Sequence, residues 1–158
     1  EDVLDWLYAV KEDSSFWNEQ LFVKIKGSMS QLTSNFIEMR KVIRKEFEAI
    51  ADQHHISDNF IDFLEKKIEK APFTYKLIEQ RLIPFPNGEI EDVLLSLIAY
   101  DILTLMAENK LTSLKRCSNP ECVLLFIDES GRRKWCSMKI CGNRKKVAKF
   151  QHRKSEDK

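Results

Sequence analysis

The sequence predicts a mainly α fold in two parts: a helical domain over residues 1–112, and a small treble-clef-like module of β-hairpin and helix over residues 113–158. Three observations carry the division. Through most of the first part apolar residues recur at spacings of three and four, the periodicity of a helix with one buried face. All 4 cysteines fall between Cys117 and Cys141. The charge reverses at the same place: residues 1–112 hold 13 Lys+Arg against 20 Asp+Glu, net −7, and residues 113–158 hold 13 against 5, net +8.

The elements follow in order. Val3, Leu7 and Val10, with Trp6 beside Leu7, form a short apolar stripe, and Leu32, Phe36, Met39, Ile43, Phe47 and Ile50 form a longer one, with Lys41, Lys45 and Glu48 left to water. Gln53-His54-His55 interrupts it. Ser57 is placed to cap a helix carrying Phe60, Phe63, Leu64 and Ile68, and Pro72 ends that helix by removing an N–H donor. Residues 74–83 are expected as a short strand pair, and Pro84-Phe85-Pro86-Asn87-Gly88 as a turn. Asn87 is then expected to cap a helix whose Ile90, Val93, Leu94, Leu97, Ile98, Ile102, Leu105 and Met106 cover more than half its circumference, so this helix belongs at the centre of the core.

These stripes are core rather than cofactor-binding. His54 and His55 are read as loop residues, since adjacent positions point apart and neither has partners at metal-ligand spacing. No Gly-rich phosphate loop, nucleophile elbow or carboxylate pair stands out, so catalysis is not expected. No apolar run of about 18 residues exists to span a membrane, and no cleavable signal pattern is present; a cytoplasmic location is expected. The chain opens on Glu1 rather than Met, so an upstream segment is expected as well.

The cysteines are spaced C-x4-C-x13-C-x4-C. Two pairs joined by a short connection bring four thiolates to the corners of one tetrahedron, which suits a single structural Zn²⁺ at Cys117, Cys122, Cys136 and Cys141. The alternative, two disulfides, needs an oxidising compartment. The C-x-x-C spacing of redox pairs is absent. Around the ligands, residues 123–127 read as a buried strand after an Asn119-Pro120 turn, Glu129-Ser130-Gly131 as a hairpin turn, residues 132–136 as the return strand, and residues 138–154 as a helix capped by Ser137. A module of this size cannot hold itself together by burial alone, so it is expected to fold only with metal.

The run Arg116-Cys117-Ser118-Asn119-Pro120-Glu121-Cys122, then Phe126, Asp128-Glu129-Ser130-Gly131-Arg132-Arg133-Lys134-Trp135-Cys136-Ser137-Met138 and Cys141-Gly142-Asn143-Arg144 resembles the CGNR zinc finger, whose name is the last tetrapeptide. Lys134 stands where that family often has a third Arg. The preceding residues are similar, more loosely, to the helical ABATE domain that accompanies this finger in bacterial proteins described as stress-induced transcriptional regulators. Arg40 and the helix over 89–109 carry that likeness. The resemblance implies DNA binding.

Ten basic side chains and no acidic one lie between Ser130 and Lys154. On a wheel of about 100° per residue, Ile140, Cys141, Val147, Ala148 and Phe150 share one arc, and Arg144 falls inside it with Asn143 also turned inward. Arg144 is therefore expected to support the finger from within, on Asp128 or on hairpin carbonyls, and Trp135 to cover the metal. Lys145, Lys146 and Lys149 with Arg153 face out, and with Arg132, Arg133 and Lys134 they are the expected nucleic-acid contacts. The expected function is a DNA-binding transcriptional regulator acting on duplex DNA, dimerising through its helical domain, with no membrane role and an effector the sequence does not define. A zinc-stabilised protein-interaction module, with the basic strip on an acidic partner, and an RNA-binding protein are the alternatives.

Overall fold

A computed structural model describes residues 34–53, 55–78 and 80–144 of the chain, with Val23 and Val147. The Val3, Trp6, Leu7, Val10 stripe, Leu32, His54 and most of the predicted C-terminal helix lie outside these residues. The chain divides into two compact units, Glu1–Val42 with Asp58–Thr104, and Ile43–Ser57 with Leu105–Lys158. A single cut at residue 112 does not describe them, because the C-terminal half of the first described helix belongs with the cysteines.

That helix, α1 (Ser34–Gln53), ends where the Gln53-His54-His55 interruption was expected. In the first unit it is followed by α2 (Asp58–Lys70), which starts directly after Ser57 and stops short of Pro72. Next come β1 (Phe73–Ile78) and β2 (Arg81–Pro86), an antiparallel pair in the register Phe73↔Pro86 to Ile78↔Arg81. The strand pair is as expected, but the turn is not. The chain reverses at Gln80, which takes a left-handed φ of 64°, and Pro84 and Pro86 lie within β2. A two-stranded ribbon has open edges, and prolines two residues apart occupy equivalent register positions where no ladder donor is needed.

Helix α3 (Ile90–Ala107) is the centre of this unit. Val93, Leu94, Leu95, Ser96 and Leu97 are buried in succession, so the helix is covered all round. Met39 of α1, Phe60 and Leu64 of α2 and Ala71 are buried with it, and the buried Ser96 hydroxyl donates to the Ala71 carbonyl at 2.8 Å. Asn87 is not the cap of α3: its N–H donates to Pro72 O, and the first helical bond runs from Val93 N to Glu89 O. Gly88 between them sits in a tight space, since a Cβ there would lie 3.1 Å from Ala71 Cβ and 3.3 Å from Lys70 O.

In the second unit, Ile50 of α1, Leu111 of a 3-10 turn (Lys110–Ser113) and Leu114 are buried. Strands β3 (Leu114–Arg116) and β4 (Leu125–Ile127) pair antiparallel, Leu114 with Ile127 and Arg116 with Leu125. This corrects the expected hairpin of 123–127 with 132–136. The segment after Gly131 is not a strand, and Val123 and Leu124 are exposed rather than buried. The partner of β4 is the strand before the first cysteine. Arg116 of β3 is tied to α1 by two hydrogen bonds to the Asp52 carboxylate, at 2.7 and 2.9 Å, with Glu48 at 3.7 Å. The Arg116 guanidinium holds the Asp52 carboxyl below its ordinary range. Nothing in the local pattern announces that pair, whose members are 64 residues apart.

Candidate metal centre

The first two cysteines flank the loop between β3 and β4. Strand pairing carries one step beyond β3 in the bond from Cys117 N to Leu124 O, and the loop closes on a turn in which Cys122 N donates to Asn119 O at 2.9 Å. The Asn119 side chain holds this turn, accepting from Glu121 N at 3.3 Å, and its amide reaches Cys141 Sγ at 3.7 Å. Asn is suited to this because its side chain mimics a backbone turn.

The second pair arrives on a segment pinned along its length. Gly131, at a φ of 69°, makes the turn after Asp128. Arg133 N donates to Asp128 Oδ2 at 2.9 Å, Lys134 O accepts from Ser118 N at 2.9 Å, and Cys136 N points at Cys117 Sγ at 3.5 Å. Cys141 lies on a π-helical turn, Met138–Gly142, in which both Cys141 N and Gly142 N donate to Ser137 O. Gly142 lets that turn close against its neighbours: a Cβ there would lie 2.7 Å from Met138 Sδ and 3.3 Å from Trp135 Cδ1.

These elements gather the four Sγ atoms within 4.8 Å of one another, with Cys122–Cys136 and Cys136–Cys141 both at 3.7 Å. Four thiolates at Zn–S distances of about 2.3 Å in a tetrahedron have sulfurs about 3.8 Å apart. The donor set and spacing therefore fit one zinc ion with no position left open, a structural site. Burial pushes the Cys136 thiol up to about 12. Burial also works to raise Cys117, but backbone N–H groups of Cys136 and Asn119 hold it down at about 7. Four adjacent thiolates repel one another unless a cation sits among them.

Asp128 is the polar centre of this unit. It is buried (3%), and it accepts from Ser130 Oγ at 2.6 Å, Lys115 Nζ at 3.0 Å and Arg133 N. Ser130 above all, then Lys115 and Arg133 N–H, hold its carboxyl down at about 2 against the effect of burial. Asp128 or the hairpin carbonyls were expected to receive Arg144. Instead Arg144 and Asn143 are both exposed, which corrects the inward placement of both. The wheel assumed about 100° per residue from position 139 onward, and the π turn has already added a residue to the circuit. Ile140 and Val147, placed on its buried arc, are exposed too.

The arginine that supports the finger is Arg133. Its guanidinium lies 4.7 Å from the Phe126 ring centre and donates to Cys136 O at 2.7 Å and Ile127 O at 3.4 Å. Arg133 is itself exposed, as are Arg132 and Lys134 either side of it, and Trp135 is half-buried beside Gly142. Lys145, Lys146, Lys149 and Arg153 lie outside the described residues.

Residues 113–154 match the family model of the CGNR zinc finger. No curated protein matches the chain.

Proposed function

We propose that this protein is a cytoplasmic, non-enzymatic, DNA-binding transcriptional regulator. In this reading a treble-clef-like finger supplies the nucleic-acid surface, and an ABATE-like helical part senses or dimerises. One observation carries it. In the second unit Lys115 and Arg116 are consumed by Asp128 and by Asp52 with Glu48. Arg132, Lys134, Lys139 and Arg144 are exposed, with no carboxylate in ion-pair range among the described residues. Cations left unneutralised on a rigid, metal-held frame suit a polyanion. Lys145, Lys146, Lys149 and Arg153 would extend the same surface, while Arg133 contributes by holding the frame.

The test is binding of the zinc-loaded chain to duplex DNA across a salt series. Contact with about five phosphates gives a slope of log K against log salt of about −4 to −5, and a slope near zero rejects the reading. A second reading, a protein-interaction module, is favoured by the exposed Val123, Leu124, Met138 and Ile140. Capture of an acidic, apolar peptide in preference to duplex DNA would select it, and equal binding of duplex RNA would select an RNA-binding role.

A further inference from the structure

The segment 132–135 and Met138 enclose a solvent-open cleft of about 310 Å³, lined by Arg132, Arg133, Lys134, Trp135 and Met138. We propose that this cleft takes one unpaired nucleobase with its adjacent phosphate, so that the finger grips single-stranded or locally opened nucleic acid more tightly than an intact duplex. The proposal rests on the nucleic-acid reading above and goes beyond its duplex contact by naming a site for an unpaired base.

The volume is at the small end of ligand sites, which run from about 300 to 1,000 Å³. It suits a single nucleotide and not a groove of stacked pairs. The lining combines a half-buried indole, an exposed thioether (Met138, 52%) and two cations free of carboxylate partners among the described residues, Arg132 and Lys134. Aromatic faces with cations alongside are how proteins hold single strands, the ring taking a base and the cations its phosphates. Inside a duplex both faces of a base are covered by its neighbours, so only an unpaired base can present a face to Trp135.

The indole N–H has no acceptor among the described residues; lying in the ring plane, it is left as a donor for the adjacent phosphate rather than for the base on the ring face. The wall is preorganised as well. Arg133 N on Asp128, Lys134 O on Ser118 N and the Arg133 guanidinium on Cys136 O hold the segment before any ligand arrives. Binding therefore orders few new groups.

The experiment uses the zinc-loaded full chain with Trp6→Phe and Trp17→Phe, so that Trp135 alone reports by its emission. It is titrated with oligothymidine, a duplex of equal length, and thymidine monophosphate. The oligothymidine should quench Trp135. Trp135→Ala should weaken its binding about 5- to 150-fold, the range of one stacked base, with duplex binding changed less than about twofold. Unquenched emission at saturating oligothymidine overturns the proposal, as does a Trp135→Ala protein that keeps its zinc and its full single-strand affinity. If Trp135→Ala loses zinc, quenching in the parent decides instead, with Trp135→Phe, which keeps a ring to stack on, expected to retain most of the single-strand affinity. Quenching by the mononucleotide but not the oligomer also overturns it, in favour of a small-ligand site. Salt-dependent duplex binding without quenching by single strands sinks this proposal and leaves the DNA-binding reading standing. Failure to bind any nucleic acid sinks both.

Discussion

The surroundings of α3 and the surroundings of the four cysteines solve the same problem differently. Around α3 the chain covers consecutive aliphatic residues on every side, and Leu94, Leu64 and Ala99 retain no exposed surface. In the cysteine unit the buried apolar residues are few among the described residues, Val123, Leu124, Met138 and Ile140 stand in solvent, and two of the buried positions are Cys117 and Cys141 themselves. One part is held by area removed from water, whose effect is spread over many side chains. The other is held by four sulfurs, and loss of a single one has no neighbour to compensate for it. Their responses to perturbation should differ in kind as well as in size.

Metal removal separates the two most sharply. Structural zinc contributes about 10–16 kcal/mol of apparent binding free energy to small fingers near neutral pH. A strong chelator, or Cys136→Ser, should therefore abolish ordered structure over 114–144 while α3 persists, seen as loss of amide dispersion for the finger with most helical circular dichroism retained. Coincident loss of both parts would mean the cysteine unit also holds the α3 core. Leu94→Ala probes the other side. Truncating a fully buried leucine costs about 2–5 kcal/mol, so the thermal midpoint of the helical signal should drop while zinc stoichiometry stays at one per chain.

Arg133→Ala and Arg144→Ala sharpen the comparison within the finger. Groups that orient metal ligands typically change affinity about 10- to 100-fold when removed, so Arg133→Ala should weaken zinc retention against a competing chelator by an amount in that range. Arg144→Ala should leave zinc affinity unaltered and weaken only polyanion binding. The opposite pattern would restore the inward arginine that helical periodicity suggests.

The smallest effect concerns acid. The Asp128 carboxyl is held at about 2 in the folded protein, against about 3.9 for a free aspartate. A depressed carboxyl stabilises the fold fully above its unfolded value, and that contribution fades as pH falls from about 4 to about 2. Zinc release, driven by protonation of thiolates, should therefore have its midpoint above pH 4, where Asp128 is still ionised, and Asp128→Asn should leave the dependence of that midpoint on proton concentration unchanged. A midpoint below 4 would give Asp128 the controlling role.

Much of this was legible in the residues. The stripes of α1, α2 and α3 appear where their spacing places them, because apolar periodicity is local and survives whatever packs against it. A strand pair was visible over 74–83, but not its extension through Pro86, where the residues read as a turn: prolines usually mark a break, and only the open edge of a two-stranded ribbon permits them inside β2. In the finger, the turns at Asn119 and Gly131 follow from the residues that make them. The partner of β4 does not, since segments before and after it are both short enough to pair.

By itself the sequence determined the ligand set, because C-x4-C-x13-C-x4-C keeps four thiols within reach of one ion however the connecting loops run. It also determined which helix is central, because α3 is apolar on nearly every face. Only the tertiary structure decided that Arg133 rather than Arg144 braces the ligands, that Lys115 and Ser130 satisfy Asp128, and that Arg116 is tied to Asp52. The reason is physical. Spacing sets which groups can meet across a short loop, but a buried charge is settled by whichever donors the folded backbone brings within hydrogen-bond distance, and a single π turn after Ser137 is enough to leave Arg144 exposed.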